Sequence, residues 1–259
     1  MKKIVLFSLL PILLFAKFQV TTYFPLETYI AKYIGKNEIR VKQINNRYLP
    51  TKRKISNFDI SKLADVKLYI HLGLNVEKEY EDIFKKSNPF IETLDLSKDI
   101  KIMDNNPYYW LDPFNLRVIA KNIYDKFCEI DKFSCSFYKQ NYEAFLDEID
   151  NTFLNIKEKL MASDVRSLYV LGNYWDYFGK RFRIILVDKE KKYIKLNELS
   201  ESIQETKNRK INKIIYLKGD SYSLASAISN SLKIKLIEHD PFEEKIFFSL
   251  RLLAQEISK

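Results

Sequence analysis

Glycine and histidine are scarce in this chain, with five and two respectively among 259 residues, alongside two cysteines and three methionines. Few glycines leave little for the Gly-rich loops that cradle phosphates, and two histidines exclude a multi-histidine metal cluster. A Gly-x-Ser-x-Gly elbow, a His-Glu-x-x-His helix and a P-loop pattern are all missing, so no hydrolase, zincin or nucleotidase chemistry is expected. The neighbouring carboxylates Glu243 and Glu244 form a solvated pair without a converging acid and base, and the chain reads as a non-enzyme. Against these shortages stand 43 Lys plus Arg, 34 Asp plus Glu, a formal charge of +9 and 46% hydrophobic residues. That composition belongs to a globular chain with room for two lobes.

Residues 1–16 read as a cleavable export signal: Lys2 and Lys3 give a positive start, an apolar run follows from Ile4 to Phe15, and Ala16 is small enough for cleavage. The run is too short to span a bilayer as a mature helix, and no cysteine follows it to take a lipid. The expectation is a soluble periplasmic protein and not a lipoprotein. Losing Lys2 and Lys3 brings the charge to +7, spread thinly, with Lys52, Arg53 and Lys54 its densest cluster. A solvated surface explains that cluster, and no nucleic-acid partner is expected. Cys128 and Cys135 flank the junction of two helical patterns. An oxidising compartment favours a disulfide there, the alternatives being two buried thiols or a redox pair.

Pattern reading places a strand at Phe18 to Thr22, a helix from Pro25 to Tyr33 stopped by Gly35, and a strand at Glu38 to Ile44. A short helical stretch from Asp59, with Leu63 and Ala64 on one face, leads into the strand Val66 to Ile70 and a turn at His71 to Gly73. From Phe133 to Met161, apolar residues recur at helical spacing with no Gly or Pro, predicting one long helix. Strands follow at 168–171, 184–187, 214–217 and 235–237, with helices between them and at the C-terminus. The expected fold is α/β: an N-terminal lobe over 17–132, a linking helix over 133–161 and a C-terminal lobe over 162–259, both lobes built on parallel sheets.

Three tracts carry a family resemblance: Phe58 to Leu74, Asn106-Pro-Tyr-Tyr-Trp-Leu-Asp-Pro113 and Leu236-Ile-Glu-His-Asp-Pro241. In order and spacing they resemble landmarks of the ZnuA or TroA type of solute-binding protein, which serves zinc and manganese ABC importers. The resemblance implies a monomer that holds a transition metal ion (zinc, manganese or iron), or a metal-related small solute, between its lobes and hands it to an inner-membrane ABC permease. The family's metal-binding histidines are absent here. Their positions are taken by Thr51, Tyr108 and Gly172, and only the carboxylate survives, as Asp240.

Two histidines remain, each expected at the carboxyl end of a strand, where open α/β sheets gather ligands. His71, Tyr108, His239 and Asp240 therefore form a candidate relocated metal site, with Asp112, Asn173 and Tyr174 as nearby or cleft-wall groups. Alternatively, Tyr108, Tyr109 and Trp110 form an aromatic wall that stacks a chelate or organic solute, with Trp110 packed and Asp112 capping a helix. The same fold could also serve as an accessory or protein-interaction module without a metal.

Overall fold

The computed structural model describes residues 17–45, 60–61, 63–187, 196–219 and 222–259, with only the backbone described over 196–199. The export signal, Thr51, the Lys52–Lys54 cluster and Asp59 lie outside the described residues.

The first lobe holds β1 (Phe18–Thr22), β2 (Ile39–Gln43), β3 (Val66–His71) and β4 (Glu92–Asp95). All pair in parallel, in the order β2-β1-β3-β4. The second lobe holds β5 (Ser167–Val170), β6 (Ile185–Val187), β7 (Lys213–Leu217) and β8 (Lys235–His239) in the matching order β6-β5-β7-β8, again all parallel. The central strands read as apolar runs because helices cover both faces of a parallel sheet: every residue of β7 and all but Lys67 of β3 are buried. In both lobes the strand order reverses beside the first strand, between β1 and β3 and between β5 and β7. Crevices outside the carboxyl ends of these strands are where such sheets hold ligands.

Helices α1 (Pro25–Gly35) and α2 (Asn75–Ser87) follow β1 and β3. Pro25 opens α1, where its missing N–H costs nothing. The stretch around Leu63 and Ala64 departs from the expected single face: Leu63 is buried and Ala64 exposed, because the chain turns over 63–65 before entering β3. Helix α3 (Pro113–Ile130) is capped by Asp112, whose Oδ1 accepts from Phe114 N at 2.9 Å.

The expected long helix is α4 (Cys135–Ala162), 28 residues or about 42 Å at 1.5 Å per residue. Tyr138, Phe145, Ile149, Ile156 and Leu160 form its buried stripe. The sulfurs of Cys128 and Cys135 are bonded across the turn between α3 and α4. Lobe 2 is completed by α5 (Asp176–Phe182), α6 (Leu196–Asn208), α7 (Tyr222–Leu232) and α8 (Ile246–Ser258). Helix α8 returns from β8 to pack along α4, with Phe247 against Phe145 at 4.9 Å and Arg251 donating to Glu148 at 2.7 Å. The largest hydrophobic cluster runs unbroken from the first lobe through α4 into the second.

Candidate metal centre

The second-lobe side of the cleft is set by the end of β8. His239, its last residue, turns inward: its Nδ1 accepts from Trp175 Nε1 at 2.9 Å and its Nε2 lies 3.0 Å from Ser249 Oγ. An indole N–H can only donate, so Nδ1 is the bare nitrogen and the proton sits on Nε2, donating to Ser249. Ser249 Oγ passes the chain on to the Asp240 carbonyl at 3.4 Å. Both ring nitrogens are thus committed, and burial lowers the imidazole pKa from 6.5 to about 3. His239 is neutral and has no lone pair left for a metal.

Asp240 differs from its neighbour. Its Oδ1 accepts from Phe242 N at 2.8 Å, while Oδ2 is buried with no hydrogen-bond partner. Desolvation raises its pKa from 3.8 to about 6, which still leaves it ionised at neutral pH. A buried carboxylate with one uncommitted oxygen is a group that a cation would stabilise.

Tyr108 and Tyr174 meet in this region, their rings 4.5 Å apart, and Tyr108 also touches Trp110 and Phe242. Phe242 lies against Trp110 at 5.3 Å and against Phe24 at 5.0 Å, so aromatic rings from both lobes close around the chain that follows Asp240. Burial pushes the Tyr108 phenol well above its ordinary pKa, and contact with the Tyr174 hydroxyl adds to the shift. Tyr108 is therefore a neutral phenol rather than a phenolate ligand. Gly172, where the resemblance expects a histidine, has φ +93°, and a Cβ there would come within 2.9 Å of the Tyr174 ring. That ring occupies the space that a side chain at 172 would need.

The four candidate ligands do not converge. His71 sits at the end of β3 in the first lobe, where Nδ1 accepts from Gly73 N at 3.1 Å and Nε2 points toward Glu81 Oε2 at 3.7 Å. Among the described residues, no group of three His, Cys, Asp or Glu side chains could hold a metal ion. A strand-end position correctly places both histidines near the carboxyl ends of the sheets, but it does not reveal that their nitrogens are already engaged. Asp240, Tyr108 and Tyr174 do share one neighbourhood. Asn173 offers its carbonyl to Asn106 Nδ2 at 2.6 Å, and Asp112 receives both prongs of Arg181 at 2.7 Å. These last two are inter-lobe fastenings rather than ligands, as is Trp110, whose indole donates to the Pro241 carbonyl at 2.7 Å.

Pattern reading missed a buried acid pair at the first-lobe switch point. Glu27 Oε2 accepts from Tyr23 N and Phe24 N, while Glu77 accepts from Leu72 N and Leu74 N. Both carboxyls are fully buried and hydrogen-bonded to each other, and burial raises both pKa values, that of Glu27 the further. Glu27 Oε1 has no donor of its own, so it carries the proton shared with Glu77. The available signal was a Glu in the first turn of a helix just after a strand, repeated at α1 and α2.

Similarity to known proteins follows the same lines. A candidate metal-binding protein of Thermotoga maritima is 25% identical over 190 residues, 72% of this chain and 70% of its own length. The metal ABC transporter substrate-binding lipoprotein SloC of Streptococcus mutans is 23% identical over 144 residues, and the match spans 47% of SloC. Among solved structures, a crystal structure of ZnuA superposes with a TM-score of 0.83 at 20% identity, covering 94% of this chain and 98% of that one. A cadmium-bound periplasmic metal-binding protein of Candidatus Liberibacter asiaticus gives 0.76 at 17% identity, covering 93% and 100%. The model of the family described as zinc-uptake complex component A periplasmic, ZnuA, matches residues 20–246, nearly the whole described chain. With two like-ordered parallel sheets spanned by one long helix, the chain belongs to the ZnuA family of solute-binding proteins.

Proposed function

We propose that this protein is the periplasmic solute-binding component of an ABC importer, and that its cleft takes a transition metal still carrying ligands of its own. The observation that carries this reading is the uncommitted, ionised Oδ2 of Asp240 beside the Tyr108 and Tyr174 rings. One carboxylate and two neutral phenols do not supply the three or four donors that strip a zinc or manganese ion of its water. They do suit a metal complex: the carboxylate answers its positive charge and the rings stack on its organic ligands. His71 and His239 hold the architecture of the cleft rather than the solute. Export by the residue 1–16 signal and delivery to an inner-membrane permease complete the proposal.

Trp110 and Trp175 both lie beside the site, so intrinsic fluorescence reads it directly. Zinc, manganese and iron(II) are titrated bare and as their cationic 2,2′-bipyridine complexes, with melting temperature followed in parallel. A complex that binds should quench or shift the fluorescence and, at a hundred times its dissociation constant, stabilise the fold by about 2.7 kcal/mol. Asp240→Asn should abolish both responses. Equal responses in wild type and Asp240→Asn would sink this reading, as would a bare ion that binds more tightly than its complex.

A further inference from the structure

A second cavity lies far from Asp240, at the opposite end of the second sheet. Because the strands are parallel, the residues entering β5 and β6 face away from the cleft at the end of β8. Here the last three turns of α4 supply Phe153, Lys157, Leu160 and Met161, while Arg166 precedes β5 and Arg183 precedes β6. The cavity encloses ≈ 670 Å³, within the range of small-molecule sites of about 300–1,000 Å³.

Its described lining divides into six apolar and four cationic side chains, with no carboxylate among them. Arg181 is answered from outside by Asp112. Arg166 donates only to the carbonyls of Ser163 and Val165, and Lys157 and Arg183 have no partner among the described residues. A larger concavity on the first lobe, of ≈ 850 Å³, behaves differently. Its lining has as many carboxylates as cations, and three of its four cations are paired: Lys121 with Asp125, Lys126 with Glu129 and Arg117 with Asp150. Three unanswered cations around an apolar floor are therefore a local arrangement and not the general surface of this basic chain. The floor is built: Phe153 stacks on Phe182 at 5.6 Å, and Leu160 and Ile184 are each 6% exposed.

We propose that this cavity binds a single-chain amphiphile with an anionic head, a phosphate or carboxylate, laying its chain on Phe153, Leu160 and Phe182 and its head against Lys157, Arg166 and Arg183. An inorganic anion leaves the apolar floor wetted, and a neutral chain leaves the cations unanswered. Only a molecule carrying both satisfies the whole lining.

The test is calorimetric titration of the protein with dodecyl phosphate held below its micelle concentration. Saturable binding of one molecule per chain is expected, weakened at least about tenfold by Lys157→Glu with Arg183→Glu. Met161→Glu, at an exposed rim position that folding does not depend on, should weaken it in the same direction. Inorganic phosphate and dodecanol should each bind at least about tenfold more weakly than dodecyl phosphate. Asp240→Asn should leave the binding intact, which separates this site from the cleft. Undiminished binding by both charge variants would overturn the proposal. So would inorganic phosphate binding as tightly as the amphiphile, or sedimentation with phosphatidylglycerol vesicles in the absence of any monomer binding.

Discussion

Two adjacent residues, His239 and Asp240, are held in opposite electrostatic states by one local fold. Burial between Trp175 and Ser249 keeps His239 neutral, with its folded pKa at about 3 against 6.5 when free. Between those values the unfolded chain binds a proton that the folded chain refuses, so this histidine makes stability fall as pH drops below 6.5. His239→Asn should remove that component, and urea midpoints measured from pH 7 to pH 4 should decline less steeply in the variant. The Glu27–Glu77 pair has the reverse sign: raised folded pKa values mean that stability falls as pH rises above the ordinary carboxyl value of 4.5. Glu27→Gln imitates the protonated acid, accepting from Tyr23 N while its amide donates to Glu77. It should therefore gain stability relative to wild type as pH increases above 4.5. Glu77→Gln should instead cost about 2 kcal/mol, because Leu72 N and Leu74 N use both oxygens and an amide NH2 would face one of those donors. Chemical denaturation of the two variants at neutral pH checks the asymmetry. At this scale the sequence was only partly legible. Asp240 could be placed by register, whereas the commitment of the histidine nitrogens depends on Trp175, Ser249, Gly73 and Glu81, partners brought in by other turns and helices.

Elements were more legible, and for a physical reason. Helix α4 announces itself because 28 residues without Gly or Pro repeat an apolar stripe at a period that only a helix can bury. Strands β3 and β7 are apolar runs, as parallel sheets covered on both faces require. Strand β4 was invisible by the same reasoning: Glu-Thr-Leu-Asp at the sheet edge buries only Leu94. The junction of α3 and α4 rests on the Cys128–Cys135 bond, which closes a sequence separation of 7. By chain entropy a loop this short contributes about 2 kcal/mol, less than the bridges of longer loops. Replacing both cysteines with serine should lower unfolding stability by about that amount and leave the fold intact, since Asp131 still accepts from Tyr138 Oη at 3.0 Å across the same turn. Guanidinium unfolding of the double variant, beside wild type with and without reductant, measures the effect. A loss well above that figure would mean that the turn depends on the bond for its geometry.

Across the whole molecule the lobes are fastened to each other at several points, one of them beside Asp240 itself. Arg181 grips Asp112 with two hydrogen bonds of 2.7 Å, Tyr177 Oη joins Asn106 O at 3.0 Å, and Trp110 reaches the Pro241 carbonyl. Helix α4 and the returning α8 add a continuous apolar spine. Hinged closure needs a few residues free to absorb a large backbone rotation, and these contacts bind both lobes to the same rigid elements. Small-angle scattering should accordingly give one radius of gyration with and without the solute that the fluorescence titration identifies. Arg181→Leu sharpens the test, because it frees one fastening and leaves the Asp112 carboxylate with only Phe114 N and without its cation. The cost should be about 2 kcal/mol, the worth of a charged hydrogen bond lost from a mostly buried group. If the spine alone sets lobe orientation, the scattering curve of this variant will match that of wild type although its stability is lower. If the Arg181–Asp112 pair sets it, the variant will expand, and the solute will then draw it back to the wild-type radius.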